Sequence, residues 1–95
     1  MTLDEFRDSV TGAMPPGLAT PLQALWWDAK EDWHRAHEAA QLGEDADSAW
    51  VHAYLHRKEG DLGNAGYWYR RAGRTSARGA LAAEWSMIAA ELLAR

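Results

Sequence analysis

The stretch from Trp50 to Arg74 restricts the fold of this chain most strongly, because it reads as two helices joined by the two-residue turn Gly60-Asp61. Glycine readily ends one helix and aspartate readily caps the next, so this pair is typical of a tight turn between helices. Helices joined by so short a connection lie antiparallel and pack against each other. We therefore expect a helical hairpin as the basic unit of the fold.

An internal repeat extends this unit to the preceding part of the chain. A shift of 29 residues superposes three pairs of identical residues: Ala24 on Ala53, Asp32 on Asp61, and Ala36 on Ala65. Glu31 then stands where the second unit has the turn residue Gly60. Hairpins of about thirty residues stack on one another because none of them can bury its apolar face alone.

Apolar residues recur with helical spacing almost throughout the chain, and this periodicity predicts an all-α fold of stacked antiparallel helical hairpins with a capping C-terminal helix. We expect one domain, residues 1–95, with four parts: an N-terminal helix and Pro/Gly linker (1–17), hairpin 1 (20–43), hairpin 2 (47–73) and a C-terminal helix (76–95). The expected N-terminal caps of the helices include Thr2, Thr20, Asp47 or Ser48, and Ser76.

The second hairpin also carries a family resemblance. The string GDLGNAGYWYRRA, Gly60 to Ala72, is similar to the turn and second helix of a tetratricopeptide or Sel1-type repeat, with small and aromatic residues at the spacing of Ala65, Tyr69 and Ala72. The longer run HAYLHRKEGD…NAGYWYRRAGR, with WHRAHEAAQ upstream, resembles a small uncharacterised group of bacterial and fungal proteins over roughly residues 22–75. This resemblance implies tetratricopeptide-like helical hairpins and no assigned activity.

Composition excludes several classes of function. The chain has no cysteine, which excludes disulfides, thiolate metal sites and thiol nucleophiles. Residues 1–49 hold ten acidic and three basic residues (−7) and residues 50–95 hold four acidic and seven basic ones (+3), which sum to the net charge of −4. This acidic balance disfavours nucleic acid as a partner. We predict no signal peptide and no membrane span, and hence a cytoplasmic protein.

The histidines form the first candidate site. His52 and His56 are four residues apart, which places both imidazoles on one face of a helix, and His37 could face that pair if the hairpins stack. Together with Glu38 or Glu59 they would make a metal site or a histidine-based enzyme. The repeat pattern, however, puts packing residues at the positions of His52 and His56, and this favours buried structural imidazoles. We therefore predict no metal, no other cofactor and no catalytic residue.

Basic residues form the second candidate site. Tyr67, Arg70, Arg71 and Arg74 follow helical spacing and make one cationic face that Arg78 extends. Guanidinium groups suit carboxylates and phosphates. The alternative is a solvated face that is neutralised by the acidic segment 43–47 or by a partner subunit.

Together these features predict a non-enzymatic binding or assembly module that recognises an acidic or phosphorylated protein, or a small anionic ligand, and that self-associates. The predicted groove combines aromatic, histidine and arginine side chains: Trp27, His37, His52, Tyr54, His56, Arg57, Arg70 and Arg71. The alternative is a metal-dependent or histidine-based enzyme that uses His37, His52 and His56.

Overall fold

A computed structural model describes all 95 residues and contains six α-helices and no strand, which confirms the predicted all-α fold. The helices are α1 (Leu3–Ser9), α2 (Thr20–Ala29), α3 (Trp33–Leu42), α4 (Ala46–Glu59), α5 (Leu62–Ala72) and α6 (Leu81–Leu93). None of the six has the length and apolar character that crossing a bilayer requires.

Helices α2 and α3 form one antiparallel hairpin and α4 and α5 form the second, and the turns of the two hairpins have the same hydrogen bonds. In each turn, one backbone N–H donates to the carbonyl three residues earlier and the next N–H donates to the carbonyl five residues earlier. These bonds are Glu31 to Asp28 and Asp32 to Trp27 in the first turn, and Gly60 to Arg57 and Asp61 to His56 in the second. The 29-residue repeat is therefore present in the backbone as well as in the sequence.

One residue in the turn of each hairpin has a left-handed backbone. Gly60 has φ 90°, and Glu31 at the matching position has φ 61°, the one non-glycine residue of the chain with positive φ. Asp32 and Asp61 then cap the following helices, with side chains that accept from the backbone N–H groups three residues later. A glutamate at this backbone angle is strained, because its Cβ approaches the neighbouring carbonyl oxygen.

The predicted caps are right in one case and wrong in three. Thr2 forms the expected capping box with Glu5. Thr20 is the first residue inside α2, where Ala19 precedes it, and Asp47 and Ser48 lie inside α4, which follows Asp45. Ser76 does not cap the last helix, because α6 begins only at Leu81. Gly79, with φ 87°, interrupts any helix that would begin at residue 76.

Helix α4 is the centre of the protein, since α2, α3, α5 and α6 all pack against it. Its residues 48–56 are buried without interruption, which explains why this helix shows no single apolar face. Helices α1 and α6 close the remaining side. There the rings of Phe6 and Trp85 stack at 5.7 Å, and Trp85 Nε1 donates to the carbonyl of Leu25 at 3.0 Å.

Candidate functional site: a three-histidine cluster

Three histidines from two helices meet beside the core. His52 and His56 lie one turn apart on α4, and His37 of α3 packs against them because the two hairpins stack. One ring nitrogen from each of the three lies within 4.8 Å of the others, and the Nε2 atoms of His37 and His52 are 3.0 Å apart. His52 and His56 are buried, and His37 is half-buried.

Two tryptophans hold the imidazole rings in place. Trp33 stacks on His37, with ring centres 4.7 Å apart, and Trp68 stacks on His52 at 3.9 Å. Trp33 is itself oriented by its Nε1, which donates to the carbonyl of Leu55 at 3.0 Å. The histidine rings are therefore preorganised by packing, as ligand side chains of a binding site must be.

A carboxylate orients the third imidazole. The Nδ1 atom of His56 is 2.9 Å from Glu59 Oε1, one turn further along the chain. When Nδ1–H donates to this carboxylate, the lone pair of the ring is on Nε2. Carboxylate–histidine pairs of this kind fix the orientation of metal-binding imidazoles and raise their basicity. Asp61 lies beyond, and its carboxylate, that of Glu59 and a nitrogen of His56 are also within 4.8 Å of one another.

The cluster keeps His37 and His52 neutral. Burial, and then the neighbouring His37 and His56, lower the pKa of His52 from 6.5 to about 4. Burial and the charge of His56 also lower the pKa of His37, against a smaller opposing effect of Glu59. Only a neutral imidazole offers a lone pair to a metal ion. Near neutral pH, both of these rings are therefore in the form that binds metals.

One of the three spacings between ring nitrogens is close to the spacing that a small cation needs. Two nitrogens that each lie about 2.0–2.1 Å from a tetrahedral zinc ion are about 3.3 Å apart. The observed separation of 3.0 Å between His37 and His52 differs from this by only a few tenths of an ångström. Three imidazoles are also a known ligand set of zinc sites that keep one position open. The donor set therefore fits zinc, copper or nickel.

The other residues of the predicted groove do not join this cluster. Tyr54 is buried and donates to Asp28 at 2.9 Å, while Arg57 binds Glu84 at 2.9 Å. Trp27 is half-buried under the guanidinium group of Arg35 on α3. Arg70 and Arg71 are exposed on α5, and Arg71 lies 5.2 Å over Trp68. Of the eight residues predicted to line one groove, the three histidines meet directly, and Arg71 reaches them only through Trp68.

Two buried acidic residues, Asp28 and Glu84, were not predicted from the sequence as important positions. Asp28 accepts from Tyr54 and Lys58, and Glu84 accepts from Arg57 and Tyr69. Burial and these carboxylates raise the pKa of both tyrosines well above 10. The sequence does indicate that Glu84 is buried, because this residue lies on the apolar face of α6, three residues after Leu81. An acid in that register predicts a buried partner.

Comparison of this chain with protein-family models, curated proteins and solved structures finds no match. The resemblance of Gly60–Ala72 to tetratricopeptide repeats therefore stays a prediction.

The surroundings of the cluster distinguish ion binding from chemistry on an organic substrate. The protein has four principal surface cavities, and none of them is lined by His37, His52 or His56. The stacked tryptophans cover two of the three rings instead. Such an arrangement suits a small ion better than a substrate-sized molecule.

Proposed function

We propose that this protein binds a divalent transition-metal ion, with zinc as the reference ion, through His37, His52 and His56. The observation that carries this proposal is the meeting of three imidazoles from two helices, two of them with nitrogens 3.0 Å apart. Glu59 acts as the residue that orients His56. The bound ion links α3 to α4 and so joins the two hairpins, and the proposed role is metal binding rather than catalysis.

Metal binding can be tested on protein purified without a histidine tag. We expect one equivalent of zinc by elemental analysis and titration calorimetry, and cobalt should give the visible absorption of a tetrahedral site. An ion that binds only the folded protein raises its stability by about 2.7 kcal/mol at a hundredfold excess over Kd. A clear rise in Tm with zinc is therefore expected.

The chain supplies its own matched control. His34 is an exposed histidine on α3, outside the cluster, so His34→Ala should leave zinc affinity unchanged. His37→Ala removes a half-buried ligand and should abolish the tetrahedral cobalt spectrum. Glu59→Gln should weaken binding by about 10–100-fold, as the loss of an orienting carboxylate does elsewhere. Less than a tenth of an equivalent of zinc with no change in Tm, or equal effects of His34→Ala and His37→Ala, would refute the proposal.

We also propose, as a second function, that the arginine face binds an anionic partner. Arg57 and Arg74 have carboxylate partners within the protein, whereas Arg70, Arg71 and Arg78 have none within 4.0 Å. The anion site that we propose therefore consists of three exposed arginines, Arg70 and Arg71 on α5 and Arg78 after it. Three further statements stay predictions: that nucleic acid is not a partner, that the protein self-associates, and that it is cytoplasmic.

A defined anionic probe tests the second function. A phosphoserine peptide should bind in a salt-dependent manner, and the double variant Arg70→Glu with Arg71→Glu should abolish that binding. The control is Arg35→Glu, since Arg35 lies on α3 and stacks on Trp27. Equal binding by the double variant and the unmodified protein would rule the arginine face out.

A further inference from the structure

A cavity that is lined by no residue of α3 or α5 has features that metal binding does not explain. Its volume is about 410 Å³, within the range of about 300–1,000 Å³ that is typical of ligand pockets. The chain contributes to it from α1, α2, the first inter-helix turn, α4 and α6. Its lining residues are Arg7, Asp28, Ala29, Glu31, Lys58, Ala82, Trp85 and Ser86.

The apolar wall of the cavity is rigid. Trp85 is only 7% exposed, stacks on Phe6 and is anchored by the bond from its Nε1 to Leu25. Ala29 and Ala82 complete this wall with small side chains, which leave the space open. An apolar chain can therefore lie along α6 between Ala82 and Ser86, a distance of about 6 Å at 1.5 Å per residue.

One part of the cavity lining is acidic. The Asp28 carboxylate is buried and accepts from Lys58 Nζ at 2.9 Å, while Glu31 lies 3.8 Å from the same ammonium group. Two carboxylates against one ammonium group leave an excess negative charge. Glu31 is the exposed member, with 82% of its side chain accessible, so it is free to bind a further cation.

Another part of the cavity lining is basic. Arg7 of α1 donates through Nη2 to Ser86 Oγ at 3.0 Å, which fixes the guanidinium group over α6. Its one acidic neighbour, Asp4, is 3.6 Å away and largely exposed, so this pair contributes little. The remaining guanidinium N–H groups are available to a carboxylate, which they suit by their forked geometry.

The backbone of Glu31, which lines this cavity, is strained. Glu31 has a left-handed backbone at a position where the second hairpin has glycine. Non-glycine residues with this backbone conformation are concentrated at functional sites. Glycine would relieve the strain, but it would remove the carboxylate from the rim of the cavity.

We propose that this cavity binds an ω-amino carboxylate, a small molecule whose ammonium and carboxylate groups are separated by a short apolar chain. The ammonium group binds Glu31, the carboxylate binds Arg7, and the chain lies on Trp85. The proposal is independent of the histidine cluster, since no residue is shared between the two sites.

NMR titration with four small molecules tests whether the cavity requires both charges of the ligand and the distance between them. We expect saturable, one-to-one binding of 6-aminohexanoate. Hexanoate and hexylamine each lack one charge and should bind at least about tenfold more weakly, because a hydrogen bond to a charged group is lost. Norleucine, an isomer with both charges at one end, should be weakened similarly.

Substitutions of the lining residues then test where in the cavity the ligand binds. Glu31→Gly should weaken 6-aminohexanoate at least about tenfold while keeping the turn, and Arg7→Gln should do the same in the basic part of the lining. Ala82→Trp fills the cavity and should abolish binding, whereas Ala83→Trp, on an exposed neighbouring position outside the cavity, should not. The proposal is overturned if 6-aminohexanoate shows no saturable binding, if norleucine or hexanoate binds equally well, or if both tryptophan variants behave alike.

Discussion

Mild acid should destabilise this protein through His52. The ring is 3% exposed and lies between Trp68 and the other two histidines of the cluster. Protonation therefore places a charge where water cannot solvate it. His37 contributes in the same direction, because its pKa is lowered as well.

The sign and the size of the effect follow from proton linkage. The folded pKa of His52 is about 4 against 6.5 in the unfolded chain, so the unfolded state binds more protons between these values. The free energy of unfolding is therefore highest above the unfolded pKa and falls as the pH falls. For this one group the loss is roughly 2 kcal/mol between about pH 7 and about pH 5. That is a large fraction of the 5–15 kcal/mol that is typical of a domain's stability.

Equilibrium unfolding in urea, followed by tryptophan fluorescence with a chelator present, measures this loss. His52→Leu removes the titrating ring, so its stability should change far less over the same pH interval. His34→Leu, at an exposed position of α3, should keep the pH dependence of the unmodified protein. If the unmodified protein were equally stable across the interval, or if His52→Leu kept the full dependence, the reasoning about burial would be refuted.

Three further substitutions test the packing. Glu31→Gly should raise the free energy of unfolding in urea by about 1 kcal/mol, because it removes left-handed strain; a lower value would mean that the turn is not strained. Glu84→Gln should lower it by about 3 kcal/mol, since it leaves the buried charge of Arg57 unpaired, and a loss below about 1 kcal/mol would contradict this. Ser48→Ala should be neutral or raise it by about 1 kcal/mol, because its buried hydroxyl has no partner, and a clear loss would reveal one.

Much of the fold could be predicted because its determinants are local. The Gly60-Asp61 turn and the spacing of His52 and His56 each depend on residues within one or two helical turns, and the repeat follows from comparing the sequence with itself. The wrong caps have a different cause. Serine and threonine cap helices only where the preceding backbone allows a helix to begin, and Gly79 delays α6 beyond Ser76.

The site could be predicted only in fragments, because its contacts cross between helices. His37 meets His52 through the stacking of two hairpins, and Trp68 covers His52 from α5. Tyr54 and Arg57 lie on the same helix as the histidines, yet each has an internal carboxylate partner. Periodicity places a side chain on a face of its helix but does not say which element packs there.

The sequence by itself therefore determined an all-α chain of two related hairpins, with two histidines in each and with three arginines in the second against one in the first. It did so because helix periodicity, turn residues and spacing act over a few residues. Only the tertiary structure decided that three imidazoles meet at one place and that Tyr54, Arg57 and Trp27 have other partners. Those outcomes depend on how α4 is enclosed by its neighbours, since burial and the partners of each charge arise only when the helices pack.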